Sequence, residues 1–165
     1  SGASCAVGDP AIQGNRYTIG AGSVKHRAGA NGLITLYCAV NPGIGGLEYM
    51  NLSTAEDHAY VTRAGCTNGY VFRQTYADSD GAGAEASVRT QLIRMVKGNG
   101  DIYAVGGAAL DSNGSGATVS TSLATPFDHT FGLQNFYYYV RVDLDRTAGS
   151  TKSAIFYGVA LECRD

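Results

Sequence analysis

Phe136-Tyr137-Tyr138-Tyr139-Val140-Arg141-Val142-Asp143-Leu144-Asp145-Arg146 alternates in polarity along its whole length. Phe136, Tyr138, Val140, Val142 and Leu144 fall on one parity, and Tyr137, Tyr139, Arg141, Asp143 and Asp145 on the other. Successive side chains of an extended chain point to opposite faces, so this is the pattern of a half-buried β-strand. The same period recurs toward the C-terminus, where Ile155, Tyr157, Val159, Leu161 and Cys163 share a parity. A polar link from Thr147 to Ser153 separates the two runs, and an antiparallel pair is expected of them.

Working back toward the N-terminus, Leu33 to Val40 places Ile34, Leu36, Cys38 and Val40 on one face and Thr35 and Tyr37 on the other. Gly69 to Tyr76 places Tyr70, Phe72 and Tyr76 together and runs into the turn residues Asp78-Ser79-Asp80-Gly81. Ala86 to Lys97 carries Val88, Leu92 and Val96 on one parity but Ile93 and Met95 on the other, which requires either burial on both faces or a bulge. Gly98-Asn99-Gly100-Asp101 then favours a hairpin into Ile102 to Val105. A loop at Asp111-Ser112-Asn113-Gly114, a Ser/Thr-rich strand from Thr118 to Leu123 and a turn near Pro126 follow. Ala39 to Gly65 is broken by Asn41-Pro42-Gly43 and Gly45-Gly46, with room for one short helix over Ser53 to His58. No window sustains an amphipathic helix without an interrupting glycine. The expected fold is all-β: a jelly-roll-like antiparallel β-sandwich of about eight to ten strands. It forms a single domain over residues 1–165, in which 1–20 is an extended N-terminal segment.

Twelve basic against fourteen acidic residues give a formal charge of −2, so no broad positive field exists to hold nucleic acid or anionic lipid. No apolar run is long enough to insert as a membrane-spanning helix. Ser1-Gly2-Ala3-Ser4 reads as the small-residue start left after removal of a signal peptide or tag. Cys5, Cys38, Cys66 and Cys163 lack the spacing of a zinc site and read as two disulfides of a secreted protein, with three pairings open.

At Leu36-Tyr37-Cys38, the run Val88 to Val96, and His129-Thr130-Phe131 through the aromatic strand to Tyr157-Gly158-Val159, the chain resembles a diffuse group of uncharacterised bacterial secreted β-sandwich domains. That resemblance implies a stand-alone extracellular sandwich tied by its cysteines, paired Cys5 with Cys38 and Cys66 with Cys163. It implies no catalytic residues. A third tyrosine in the aromatic run and the Gly-rich segment Gly43 to Gly46 depart from the group's pattern and mark candidate specialised surfaces.

Catalytic motifs are not found. His26, His58 and His129 stand in separate segments without a nucleophile elbow and read as ordinary surface or turn histidines. Asp143 and Asp145 share a face with Arg141 and read as a solvated row of mixed charge rather than an acid/base pair. The Asp78 and Asp111 loops lack full calcium-loop spacing, so turn chemistry is the reading there and no metal or cofactor is expected. Asn51 and Asn113 fit the glycosylation acceptor pattern, silent in a bacterial source. The sites that point outward are Tyr137 and Tyr139, with Arg141 beside them. Exposed tyrosines pair apolar area with a polar tip and suit protein interfaces and sugar-stacking platforms, unless a loop or the N-terminal segment covers them.

Three functions follow in order. The first is a non-catalytic extracellular structural or adhesive subunit, which forms homo-oligomers or engages a cell-surface partner through sheet edges or by strand addition from Ala6 to Gly20. The second is a carbohydrate-binding module using Tyr137 and Tyr139. The third is a glycan-active enzyme.

Overall fold

The computed structural model describes residues 5–9, 13–20, 22–39, 66 and 68–164. Val40, the Gly43 to Gly46 segment, Asn51 and the Ser53 to His58 stretch lie outside the described residues. Among the described residues, ten strands form two antiparallel five-stranded sheets packed face to face as a jelly-roll-like sandwich. The first sheet has the order β1 (Cys5–Val7), β4 (Ile34–Ala39), β9 (Phe136–Arg146), β6 (Ala86–Val96), β7 (Ile102–Asp111). The second has β2 (Tyr17–Gly20), β3 (Ser23–His26), β10 (Ala154–Cys163), β5 (Tyr70–Asp78), β8 (Thr121–Phe127).

The core lies between the sheets and follows the parities of the long strands. β9 contributes Tyr138, Val140, Val142 and Leu144, β4 Ile34, Leu36 and Cys38, and β5 Tyr70, Phe72 and Tyr76. Among the described residues the Tyr76 hydroxyl in this interior has no hydrogen-bond partner, whereas the Gln74 amide is partnered across the layers. Gln74 on β5 donates to the Val88 carbonyl at 3.1 Å and accepts from the Thr90 hydroxyl at 2.8 Å, so one buried amide joins β5 to β6. Both expected disulfides form, Cys5–Cys38 between the edge strand β1 and β4, and Cys66–Cys163.

Four expectations are corrected. β9 and β10 do not pair: β9 lies between β4 and β6, and β10 between β3 and β5. The link Thr147 to Ser153 is therefore an arch between sheets, a choice that alternation alone does not encode. Within β10 a register shift between Phe156 and Gly158 switches the parity, so Phe156 and not Ile155 or Tyr157 enters the core, and Tyr157 is exposed. Pro126 lies inside β8 rather than at a turn. An edge strand tolerates it because its missing N–H is not needed by an inner neighbour. Finally, the N-terminal segment is committed to its own chain: β1 pairs with β4 and β2 with β3, while the Thr35 N–H donates to the Gln13 side chain at 2.9 Å. Strand addition to a neighbour would have to displace these pairings.

The Ala86 to Val96 ambiguity resolves as burial on both faces: β6 keeps unbroken register with β9, Val88 and Leu92 enter the core, and Ile93 is buried on the outer face, while a bulge lies in the other partner. β7 carries Val105 to Ala108 opposite Leu92 alone, since Gln91 pairs with Ala109 and Ile93 with Ala104. Gly107 makes this possible: its φ is +76°, and a Cβ there would lie 3.0 Å from the Cβ of Phe127.

Candidate functional site

The outer face of the first sheet assembles the residues picked out from β9. Tyr137, Tyr139, Arg141 and Asp143 point away from the core, and cross-strand register sets their neighbours. On the β4 side Thr35 stands opposite Asp143 and Tyr37 opposite Arg141. On the β6 side Arg89 faces Asp143, Gln91 faces Arg141, Ile93 faces Tyr139 and Met95 faces Tyr137. The diagonal brings Tyr37 and Tyr139 into an edge-to-face contact with ring centroids 5.6 Å apart.

Each aromatic is held in place. The Tyr37 ring lies over Gly8, where a Cβ would come within 2.7 Å of its Cε2 atom, so only glycine permits this seat. Tyr137, 55% exposed, is covered on one side by the Lys97 ammonium 4.8 Å from its ring centre, and that ammonium also donates to the Leu133 carbonyl at 2.7 Å. Burial raises the Tyr139 phenol above its ordinary pKa; the neighbouring Tyr37 adds to the rise and Arg141 opposes it. The phenol therefore stays protonated and keeps its donor at neutral pH.

Beside the aromatics the face becomes polar. A cleft of about 330 Å³ is lined by Arg89, Gln91, Asp111, Arg141 and Asp143 with Ala109 and Leu110, at the lower end of the usual size for ligand sites. Arg141 Nε lies 2.9 Å from Asp143, whose carboxylate also accepts from the Thr35 hydroxyl at 2.7 Å. Arg89 Nε donates to Asp111 at 2.8 Å. The Gln91 amide nitrogen reaches the carbonyls of Leu92, Val105 and Ala108 at 2.9–3.1 Å, so it caps the β7 bulge and leaves its own oxygen as an acceptor at the cleft.

The other candidates lie elsewhere. His26 is buried and donates through Nε2 to the Gly32 carbonyl at 2.7 Å. His129 meets the Tyr138 hydroxyl at 3.2 Å within an aromatic cluster that includes Phe131. Burial depresses the pKa of both, with Arg94 adding to the effect at His129. They are thus packed histidines rather than surface ones, and neither is brought to Asp143. His58 is outside the described residues. In the Asp78 loop, Asp80 accepts from the Glu85 and Ala86 amides at 2.8 and 3.2 Å, and Asp111 accepts from the Asn113 amide at 3.0 Å. Among the described residues no group of three or more His, Cys, Asp or Glu is placed to hold a metal.

Tyr37, Thr35, Arg89, Gln91 and Asp111 were not among the expected site residues. The outward parity of Tyr37 was visible beside Leu36 and Cys38, but its union with Tyr139 depends on β4–β9 register, which one strand's pattern does not contain.

No family model matches the chain, and no curated protein matches it. Solved structures give distant likenesses. The xylan-binding module CBM15 aligns over 99% of both chains at 14% identity and a TM-score of 0.42. TmCBM61 in complex with β-1,4-galactotriose aligns over 98% of this chain and 88% of its own at 8% identity and a TM-score of 0.43. PfGH50B aligns over 98% of this chain at 9% identity and a TM-score of 0.47, and the chain spans only 23% of that protein. At these values no residue roles are carried over.

Proposed function

We propose that the protein is a non-catalytic carbohydrate-binding module whose glycan lies across the outer face of the first sheet. The observation that carries this reading is the continuity of the Tyr37–Tyr139 aromatic step with the polar cleft of Gln91, Arg141 and Asp143 on one side of one sheet. A sugar ring has apolar faces of C–H bonds and an equator of hydroxyls. Stacking on tyrosine satisfies the first and charge-assisted hydrogen bonds to Arg and Asp satisfy the second. Rigid strands fix the spacing, so little ordering entropy is lost on binding. Arg141 and Asp143 are close enough to neutralise each other, which suits recognition better than proton transfer.

The structural or adhesive reading uses the same tyrosines. It is second here because β1 and β2, its strand donors, are already paired within the chain. A glycan-array screen with the intact, oxidised protein tests the proposal. Selective signal that disappears in Tyr139→Ala supports it; absence of any signal, together with large ordered assemblies by electron microscopy, returns the adhesive reading to first place.

A further inference from the structure

We infer that the ligand of this face is an extended, uncharged polysaccharide chain rather than an acidic one; the inference rests on the glycan-binding reading. The cleft holds two cations and two anions, and they are already matched in pairs: Arg141 with Asp143 and Arg89 with Asp111. Its net charge is therefore zero. A polyuronate would bring a carboxylate to Asp143 and Asp111, which stand within the same cleft, and would meet no unmatched cation in return. Lys97 keeps its positive charge beside Tyr137 but is not part of the cleft lining, and the exposed Asp145, on the same outward parity of β9, offsets it across the face.

The pairs also suit neutral sugars geometrically. Each guanidinium uses its Nε for its own aspartate, and among the described residues the terminal nitrogens of Arg89 and Arg141 have no protein partner. Every pair thus offers N–H donors beside carboxylate acceptors, and Gln91 adds a carbonyl acceptor between them. Adjacent donor and acceptor is what a vicinal diol requires, since each hydroxyl both gives and receives a hydrogen bond. Tyr137 and Asp143 lie six residues apart on β9, roughly 20 Å along the strand. That length fits a run of several sugar units better than a single chain end.

Affinity gel electrophoresis with the full chain tests this. Neutral gels contain hydroxyethylcellulose, xylan, galactan or mixed-linkage β-glucan, acidic gels contain polygalacturonate or alginate, and each is run at low and high sodium chloride. The expected result is retardation by at least one neutral polysaccharide and by neither polyuronate, with salt changing the retardation less than roughly twofold. Asp143→Asn, which leaves Arg141 without its counter-charge, should weaken neutral binding and gain retardation on polyuronate. Salt-sensitive retardation of the parent by polygalacturonate or alginate would overturn the inference while leaving the glycan-binding reading intact. Failure of every polysaccharide to retard the parent would remove both.

Discussion

Replacing Tyr138 by Ala tests which face of β9 is the core. Tyr138 is 8% exposed, and its ring contacts Phe131 at 4.7 Å, His129 at 5.6 Å and Phe136 at 6.3 Å between centroids. Its hydroxyl accepts from the Gly132 amide at 3.1 Å and meets His129 Nε2. Truncating a buried aromatic costs about 3–5 kcal/mol, which for a chain of this size lowers the melting temperature by roughly 6–20 °C. The double change Tyr137→Ala and Tyr139→Ala loses less: about 0.5–1 kcal/mol from the Lys97 contact and about 0.5–1.5 kcal/mol from the Tyr37 edge contact. Circular dichroism melts and urea titrations of the oxidised protein measure both. The expected order is a large loss for Tyr138→Ala and a loss of about 1–2.5 kcal/mol for the double variant. A double variant less stable than Tyr138→Ala refutes the assignment of faces.

Asp78 is wholly buried beside Asp80 and accepts from the Ser112 hydroxyl; burial, reinforced by Asp80, pushes its carboxyl up to about 6. Its folded pKa exceeds its unfolded one, so its contribution to stability is complete below about pH 3.8 and fades as pH rises through about 6. Asp78→Asn should therefore flatten the fall in urea midpoint between pH 4 and 7 relative to the parent, and an unchanged slope counts against the protonated carboxyl. His26 works in the opposite sense: its pKa is depressed, so stability is present above pH 6.5 and declines as pH falls below it, and His26→Gln should reduce that acid-side loss. Reduction should destabilise the protein through both bridges. In the chain-entropy model the 97-residue separation of Cys66–Cys163 contributes about 4.7 kcal/mol and the 33-residue separation of Cys5–Cys38 about 3.7 kcal/mol, so single Cys→Ser pairs should rank in that order by denaturant midpoint. Gly69→Ala should cost more than ordinary loop changes, because φ is +85° and the new Cβ would meet the Asp128 carboxylate; a neutral melt would contradict that geometry.

Strict alternation made β9, β4 and β5 legible, since one face of each is buried and a shift of one residue would expose the whole apolar set. The Gly98 to Asp101 hairpin was equally plain from its turn chemistry: Gly100 has φ +78°, and the Val96 amide donates to the Asp101 carbonyl at 2.8 Å. What stayed hidden depends on other strands. The β10 bulge reverses the faces of Ile155 and Tyr157, the β9–β10 link crosses between sheets, and the buried Gln74 gains its place only through Thr90 and Val88 on the opposite layer. The candidate site divides in the same way. Tyr137, Tyr139 and Arg141 were readable from one strand, whereas Tyr37, Arg89, Gln91 and Asp111 join them through register and the β7 bulge.

The most direct measurement is a ¹⁵N–¹H correlation titration of the oxidised protein with an oligosaccharide fragment of whichever polysaccharide retards it in the gel. The account predicts that the largest shifts fall on the amides of Gln91, Tyr139, Arg141 and Asp143 and on Tyr37, all in the first sheet. Shifts confined instead to β5, β8 and β10 of the second sheet, around Arg73 and Tyr157, would contradict it.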